Sequence, residues 1–147
     1  MNKCKYVMLC APNGGVLNDP VLLHVQEDEW WFSLADSDIG QYFHGVNHDG
    51  RFDVDIAEID VAPVQIQGPK APKLMDDIFG PHMSKLKYYD CIHEEINGAQ
   101  CVISAIWMHY CIMLLKRVIT TSTRGFGKLQ KCPSEWIQYG VGIRDLS

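Results

Sequence analysis

Two pairs of side chains have types and spacings that could do chemistry. His44 and His48 stand four residues apart, so on a helix they would share one face, a spacing that can hold a metal ion. No Glu follows His44 in the metalloprotease manner, and Asp49-Gly50 predicts a turn that frays the helix, so a solvated pair is favoured. Asp36 and Asp38 could be paired carboxylates, but acidic residues also collect at helix N-termini, and capping is the favoured interpretation.

Several motifs that would define a catalytic class are absent from the sequence. It contains no G-x-S-x-G elbow, no Ser-His-Asp order and no phosphate-binding G-x-x-x-x-G-K-[ST] loop. Its six cysteines include no C-x-x-C pair, and no apolar signal segment follows the first residues. These features predict reduced thiols in a cytoplasmic protein.

Composition narrows the class of protein further. The chain has 147 residues, 47% of them apolar, and a net charge of −5, which fits one globular domain. With this net negative charge, the chain does not have the excess of basic residues that is typical of nucleic-acid-binding proteins. Residues 101–115 form an uncharged run of 15 residues, but a membrane-spanning helix needs about 20. We therefore expect a buried core segment and neither a nucleic-acid nor a membrane partner.

Hydrophobic periodicity predicts an α+β fold with elements in the order strand, strand, helix, strand, strand, helix, strand, strand. Residues 21–25 and 30–34 are apolar runs around a polar stretch at 26–29, which predicts a hairpin with a four-residue loop. Asn97-Gly98 between two strand-like runs predicts a second hairpin. The remaining predictions are a helix through Ile39, Tyr42, Phe43 and Val46, strands at 52–56 and 64–67, and a helix from Pro72 to Phe79.

The most informative stretch is GGVLNDPVLLHVQEDEWWFSLADSD at residues 14–38. With Tyr6 upstream and VAPVQIQGPKAPKLMDDIFG at residues 61–80, it resembles the folate-binding core of the aminomethyltransferase family, which includes the glycine-cleavage T-protein. The LNDPVLL and SLADSD segments are most similar to the branch of tetrahydrofolate-dependent demethylases acting on dimethylsulfoniopropionate or methoxy-aromatic acids. The resemblance covers roughly residues 3–104, about two-thirds of the chain.

The resemblance implies a fold, a cofactor and site residues. The fold would be an incomplete folate-binding domain, an antiparallel sheet with helices on one side, and the cofactor would be tetrahydrofolate with no metal. Asp19 matches the family carboxylate that faces the reacting folate nitrogens, where it could orient or deprotonate an amine. Tyr6 and Ser33 match folate contacts, and Gln67 belongs to the family's Gln-Gly-Pro turn, which could equally be a plain strand-to-helix turn.

The sequence departs from the family after Ser104. Family members continue into a Gly-aromatic-Glu strand whose Glu holds the pterin, and this chain has no counterpart. Residues 1–104 are therefore predicted to be a partial folate-binding domain, and residues 105–147 a tail that is either divergent or translated out of the ancestral frame. Because residues 105–136 lack a clean period, we expect no consistent structure there.

Two functions remain open at this point. The first is part of a tetrahydrofolate-dependent transferase that takes a methyl or aminomethyl group from a small-molecule donor. The second is a non-catalytic folate-binding or interaction module, or an inactive truncated product. Lys3, Lys5 or Lys70 would have to attract the folate glutamate tail, since the net charge does not. We also expect self-association, because residues 30–32 and 101–115 would leave apolar surface uncovered.

Overall fold

The computed structural model describes residues 1–34, 38–106, 109–115 and 139–145. The chain divides into two compact units, residues 1–59 with 136–147 and residues 60–135. The elements, in chain order, are β1 (Lys3–Tyr6), β2 (Leu9–Cys10), β3 (Val16–Asn18), β4 (Val21–Gln26), β5 (Glu29–Leu34), α1 (Ile39–Val46), β6 (Val54–Glu58), β7 (Val61–Gln67), α2 (Ala71–Phe79), a short 3₁₀ helix (Met83–Lys85), β8 (Cys91–Ile96), β9 (Ala99–Ile106), β10 (His109–Leu115) and β11 (Tyr139–Asp145).

The first unit contains a five-stranded antiparallel sheet in the order β1-β4-β5-β11-β6, and β2 pairs with β3 beside it. The predicted hairpin is confirmed as β4 and β5. Its loop is shorter than predicted, because Gln26 already pairs with Glu29 and only Glu27 and Asp28 remain in the turn. The register shifts by one residue between His24 and Gln26, where β4 is irregular next to the turn.

One face of this sheet packs against α1. Phe32 and Leu34 of β5 form a buried core with Ile39 of the helix, and the ring centroids of Phe32 and Phe43 lie 5.0 Å apart. The predicted helix is therefore confirmed, with Ile39, Tyr42 and Phe43 packed on the sheet, whereas Val46 is exposed. Asp38 occupies the predicted N-cap position of α1, but its side chain makes no capping hydrogen bond, and Asp36 lies outside the described residues.

The second unit contains a four-stranded antiparallel sheet in the order β7-β10-β9-β8. Met75 of α2 packs on one face of it, in a core that includes Ile103 and Ile112. The predicted Asn97-Gly98 hairpin is confirmed, since both residues have positive φ (+52° and +81°), as a two-residue turn of type I′ requires.

The predicted α+β class and antiparallel pairing are confirmed, but the arrangement differs in one respect. The prediction placed helices on one side of a sheet, whereas each unit has a sheet and a helix of its own. The sequence could not show this, because strand order depends on pairing between distant segments.

The expectation of no consistent structure at residues 105–136 is wrong at residues 109–115, and residues 139–145, which follow that segment, also form a strand. Strand β10 pairs with both β7 and β9, and β11 pairs with both β5 and β6. Strand β10 reads HYCIMLL, a continuous apolar run, and such runs are typical of central strands although they have no diagnostic period. Whether residues 105–147 are divergent or frame-shifted stays a prediction, and residues 116–138 lie outside the described residues.

The apolar segments expected to be uncovered are largely buried. Trp31 and Phe32 are 6% and 9% exposed, and Trp30 is partly buried against His24, with stacked ring centroids 5.1 Å apart. Residues 101–115 supply parts of β9 and β10, and no helix among the described residues has the length and apolar character needed to cross a membrane. The reason given for self-association is wrong at the residues whose burial the structure describes, which are Trp31, Phe32, residues 101–105, Tyr110 and Ile112, and self-association itself stays a prediction.

Candidate functional site

The register of three strands places two of the predicted site residues on one face of the first sheet. Tyr6 of β1 lies opposite Val21 of β4, and Val21 lies opposite Ser33 of β5. Directly opposed residues of neighbouring strands point to the same face. Two strand spacings separate Tyr6 from Ser33, so their Cα atoms are roughly 10 Å apart.

The side chain of Asp19 is hydrogen-bonded to Tyr6, which lies on this face of the first sheet. The Tyr6 hydroxyl donates to Oδ2 of Asp19, and the Tyr6 side chain is 52% exposed. The main chain on both sides is fixed, because the Val7 N–H donates to the Pro20 carbonyl at 3.0 Å and Pro20 is fully buried. Oδ1 of Asp19 has no hydrogen-bond partner among the described residues, so it can accept a proton or a hydrogen bond from a ligand.

Ser33 is the buried member of the group, with an exposed fraction of 8%. It shares its face with Trp31, whose indole N–H donates to Oε1 of Glu29 at 2.7 Å. Glu29 is also paired with Arg144 of β11, Nη2 to Oε2 at 2.9 Å. The sequence did not reveal this ion pair, because Arg144 is 115 residues from Glu29 and no local pattern links them.

Gln67 lies in the second unit, at the end of β7. Gly68 follows with φ of +122°, a conformation that favours glycine, and its carbonyl accepts a hydrogen bond from the Ala71 N–H at 2.9 Å. Helix α2 begins at Ala71, so Gln67 marks a strand-to-helix turn. Its side chain is exposed, and a role in ligand contact stays a prediction.

The lysines proposed for the folate tail divide between the units. Lys3 and Lys5 alternate with Tyr6 along β1, so they point to the opposite face of the sheet. Because β1 is an edge strand, a ligand on the Tyr6 face would have to bend around this edge to reach them. Lys70 is exposed immediately before α2 in the second unit.

Metal-binding arrangements are absent from the part of the chain that the structure describes, where no three His, Cys, Asp or Glu side chains converge. His48 lies beyond the end of α1, with Nδ1 3.1 Å from the Gly45 carbonyl oxygen, so it does not share a helix face with His44. A close polar pair that the sequence did not reveal is His82 and Glu94, with Nε2 and Oε1 2.6 Å apart.

A cavity of about 280 Å³ opens at the β4–β5 turn, lined by Gln26, Glu27, Asp28, Glu29 and Arg144. It does not coincide with the predicted site. Tyr6 and Ser33 lie beside Val21 at the start of β4, whereas the cavity is at the other end of that six-residue strand, roughly 17 Å away. This cavity is therefore separate from Tyr6 and Asp19, which are exposed at the edge of the sheet, and from the buried Ser33.

The fold and this site define a class of α+β protein in which a carboxylate and hydroxyls line a sheet face near its edge. The family described as the GCVT N-terminal domain matches residues 1–107, and the chain belongs to this family. The resemblance stated from the motifs is thereby confirmed.

Two kinds of relative are similar to the chain. Dimethylsulfoniopropionate demethylase DmdA from Ruegeria pomeroyi is 36% identical over 103 residues, which are 70% of this chain and 28% of the relative. An aminomethyltransferase from Alkaliphilus oremlandii is 28% identical over 107 residues, and one from Thermotoga maritima is 27% identical over 105. These alignments cover 70% and 69% of this chain and 29% of each enzyme, so the chain spans less than a third of the relatives it matches.

Proposed function

We propose that the chain binds tetrahydrofolate at the Tyr6–Asp19 pair and is the folate-binding part of a tetrahydrofolate-dependent one-carbon transferase. The observation that carries this proposal is the hydrogen bond from the Tyr6 hydroxyl to the Asp19 carboxylate on an accessible sheet edge. Membership of the GCVT family and similarity to a demethylase and to aminomethyltransferases support it.

The residues present suit a folate. The exposed Tyr6 ring offers a flat surface for an aromatic ring system, and Oδ1 of Asp19 can accept a hydrogen bond from a ring or bridge nitrogen. Ser33 adds a hydroxyl about two strand spacings from Tyr6. A role of the Gln67 amide in ligand contact stays a separate prediction for the second unit.

Asp19 would act as the charged group of the site. Its carboxylate orients an amine, can take a proton from it, and stabilises positive charge that develops during the transfer. Tyr6 acts as a positioning residue, because its hydroxyl holds Oδ2 and thereby fixes the direction of Oδ1. When bound, tetrahydrofolate supplies the nitrogen that accepts the one-carbon group. The remaining gain in rate comes from holding donor and acceptor together.

The donor we propose is a small molecule with a methyl or aminomethyl group. The demethylase similarity, at 36% identity against 28% for an aminomethyltransferase, favours a methyl donor such as a sulfonium compound. A sulfonium centre makes its methyl group a good electrophile, and the donor becomes a neutral thioether after transfer.

A second candidate is a folate-binding module without turnover. Family members place a pterin-binding Glu on a strand that follows the Ser104 segment, whereas β10, which pairs with β9, contains no Asp or Glu. A ligand donor left without its acceptor would weaken binding by about 1–3 kcal/mol.

Isothermal titration of the full chain with tetrahydrofolate tests binding, and product analysis with dimethylsulfoniopropionate and tetrahydrofolate tests turnover. Heat of binding together with a methylated folate supports the transferase. Binding without product supports the module instead. An absence of measurable binding would contradict both functions.

A further inference from the structure

We propose that Asn97-Gly98 is a site of spontaneous deamidation in the folded protein, whereas the other Asn-Gly pair, Asn13-Gly14, is protected. The sequence contains only these two Asn-Gly pairs, and the same two groups would react at each of them. The structure distinguishes them, and the inference does not depend on the proposed function.

The reaction needs an accessible side-chain amide and a nucleophilic main-chain nitrogen. The Gly98 nitrogen attacks Cγ of Asn97, so a new N–C bond forms and the C–N bond to the side-chain amide breaks. The proton lost by the Gly98 nitrogen leaves with that amide as ammonia. Water then opens the cyclic imide at either carbonyl and gives aspartate or isoaspartate. A glycine in the second position favours the attack because no Cβ shields its nitrogen.

At the first pair, both reacting groups are held by hydrogen bonds. The Gly14 N–H donates to the Ala11 carbonyl at 2.9 Å, and Oδ1 of Asn13 accepts from the Gly15 N–H at 3.0 Å. The attacking nitrogen must therefore lose its bond, and the carboxamide must leave the orientation that the Gly15 N–H fixes, before the two can react. These bonds stabilise the unreactive conformation.

At the second pair, neither reacting group is held. The Asn97 carboxamide and the Gly98 N–H make no hydrogen bond to any residue that the structure describes, and both residues are exposed to water. Asn97 has φ of +52°, which the type I′ turn requires and Asn tolerates. Neither reacting group at this turn therefore has to lose a hydrogen bond of its own before the two can react.

The product would disturb the second unit. Asn97 and Gly98 are the whole connection between β8 and β9, with Ile96 opposite Ala99. An isoaspartate adds a methylene to the main chain, which a two-residue turn cannot absorb without a change in geometry. Ala99 lies in the buried core at 4% exposure, so a shift at the turn reaches the packing of the sheet.

The test is incubation of the full chain in mildly alkaline buffer, native and in denaturant, followed by proteolysis and mass spectrometry of both peptides. In the native protein we expect conversion at Asn97 to exceed that at Asn13 by about tenfold or more, since two hydrogen bonds protect Asn13. In denaturant the two rates should be nearly equal. Equal native rates, or faster conversion at Asn13, would overturn the proposal.

The variant Asn97→Gly provides the matched control, because Gly-Gly also suits this type of turn. It should remove conversion at residue 97 and leave the rate at Asn13 unchanged. Thermal unfolding of the aged wild-type chain should occur at a lower temperature than that of the fresh chain, and aged Asn97→Gly should show no such loss. An equal loss in both proteins would contradict the link between this turn and the stability of the unit.

Discussion

The Tyr6 hydroxyl donates a hydrogen bond to the Asp19 carboxylate across 13 positions of the chain. The pairing of β1 with β4 brings them together, because Tyr6 lies opposite Val21 and the buried Pro20 fixes the main chain between Val21 and Asp19. The family resemblance assigned Tyr6 to folate contact and Asp19 to the reacting nitrogens. The structure joins them in one hydrogen-bonded pair, in which the tyrosine orients the carboxylate.

Removal of the carboxylate should weaken tetrahydrofolate binding. For Asp19→Ala we expect the dissociation constant to rise about tenfold or more, because a hydrogen bond to a charged group contributes roughly 1.5–3 kcal/mol. Isothermal titration measures the change. Asp28→Ala is the matched control, since Asp28 is an exposed aspartate of the same unit at the far turn of the β4–β5 hairpin. An unchanged constant for Asp19→Ala would exclude this carboxylate from the site.

The Tyr6 hydroxyl should act through Asp19. We expect Tyr6→Phe and Asp19→Asn each to weaken binding and the double variant to weaken it by less than the sum, with a coupling free energy of about 1 kcal/mol. Tyr6→Phe keeps the ring, so the cycle separates the hydroxyl from the aromatic surface. Additive effects of the two substitutions would show that the hydroxyl contacts the ligand independently.

Strand β10 should be protected from hydrogen exchange. Each of its residues from His109 to Leu114 lies opposite a residue of β7 and one of β9, so its main-chain groups are bonded on both sides. Mass spectrometry should find slow exchange in residues 109–115 and fast exchange in the exposed turn at residues 49–51. Complete exchange of residues 109–115 at the earliest time point would instead favour a tail without packing.

The second unit should lose stability in acid through Asp76. Hydrogen bonding from Ser84 lowers the pKa of the Asp76 carboxyl in the folded protein, and Oδ1 accepts from the Ser84 N–H at 2.8 Å. A carboxyl with a lowered folded pKa stabilises the fold above its unfolded pKa, near 3.9, and this contribution disappears as the pH falls through the folded value.

Asp76→Asn should therefore be less stable than the wild type at neutral pH and equally stable in strong acid. Thermal unfolding across pH measures the difference. Asp77→Asn removes the same charge from α2 and breaks only an exposed ion pair with Lys73, so it should have little effect. A constant difference between wild type and Asp76→Asn at every pH would contradict the role of ionisation.

Cys101 should be inert to alkylation in the native protein. Burial raises the pKa of its thiol to about 12, with a smaller contribution from Glu94, so little thiolate exists at mildly alkaline pH. Cys10 is an exposed free cysteine in the same chain. Iodoacetamide followed by peptide mass spectrometry should label Cys10 within the time that leaves Cys101 unmodified, and denaturant should abolish the difference. Equal native labelling would show that Cys101 is not shielded.

Much of the local structure follows from the sequence alone. Asn97-Gly98 predicts its hairpin because the type I′ turn needs positive φ at two positions, which these residues tolerate at low cost. The stripe of Leu74, Met75, Ile78 and Phe79 between Pro72 and Gly80 predicts α2 for an equally local reason. The motifs around Asp19 and Gln67 also identified the family before any geometry was known.

Pairing between distant segments was decided only by the tertiary structure. Strand β11 lies between β5 and β6 although more than 80 residues separate it from β6, and Arg144 thereby reaches Glu29. The apolar run in β10 has no diagnostic period, so its residues alone could not distinguish strand from helix. Local dihedral preferences act over a few residues, whereas strand order and the Tyr6–Asp19 contact depend on which hydrophobic faces the whole chain can bury together.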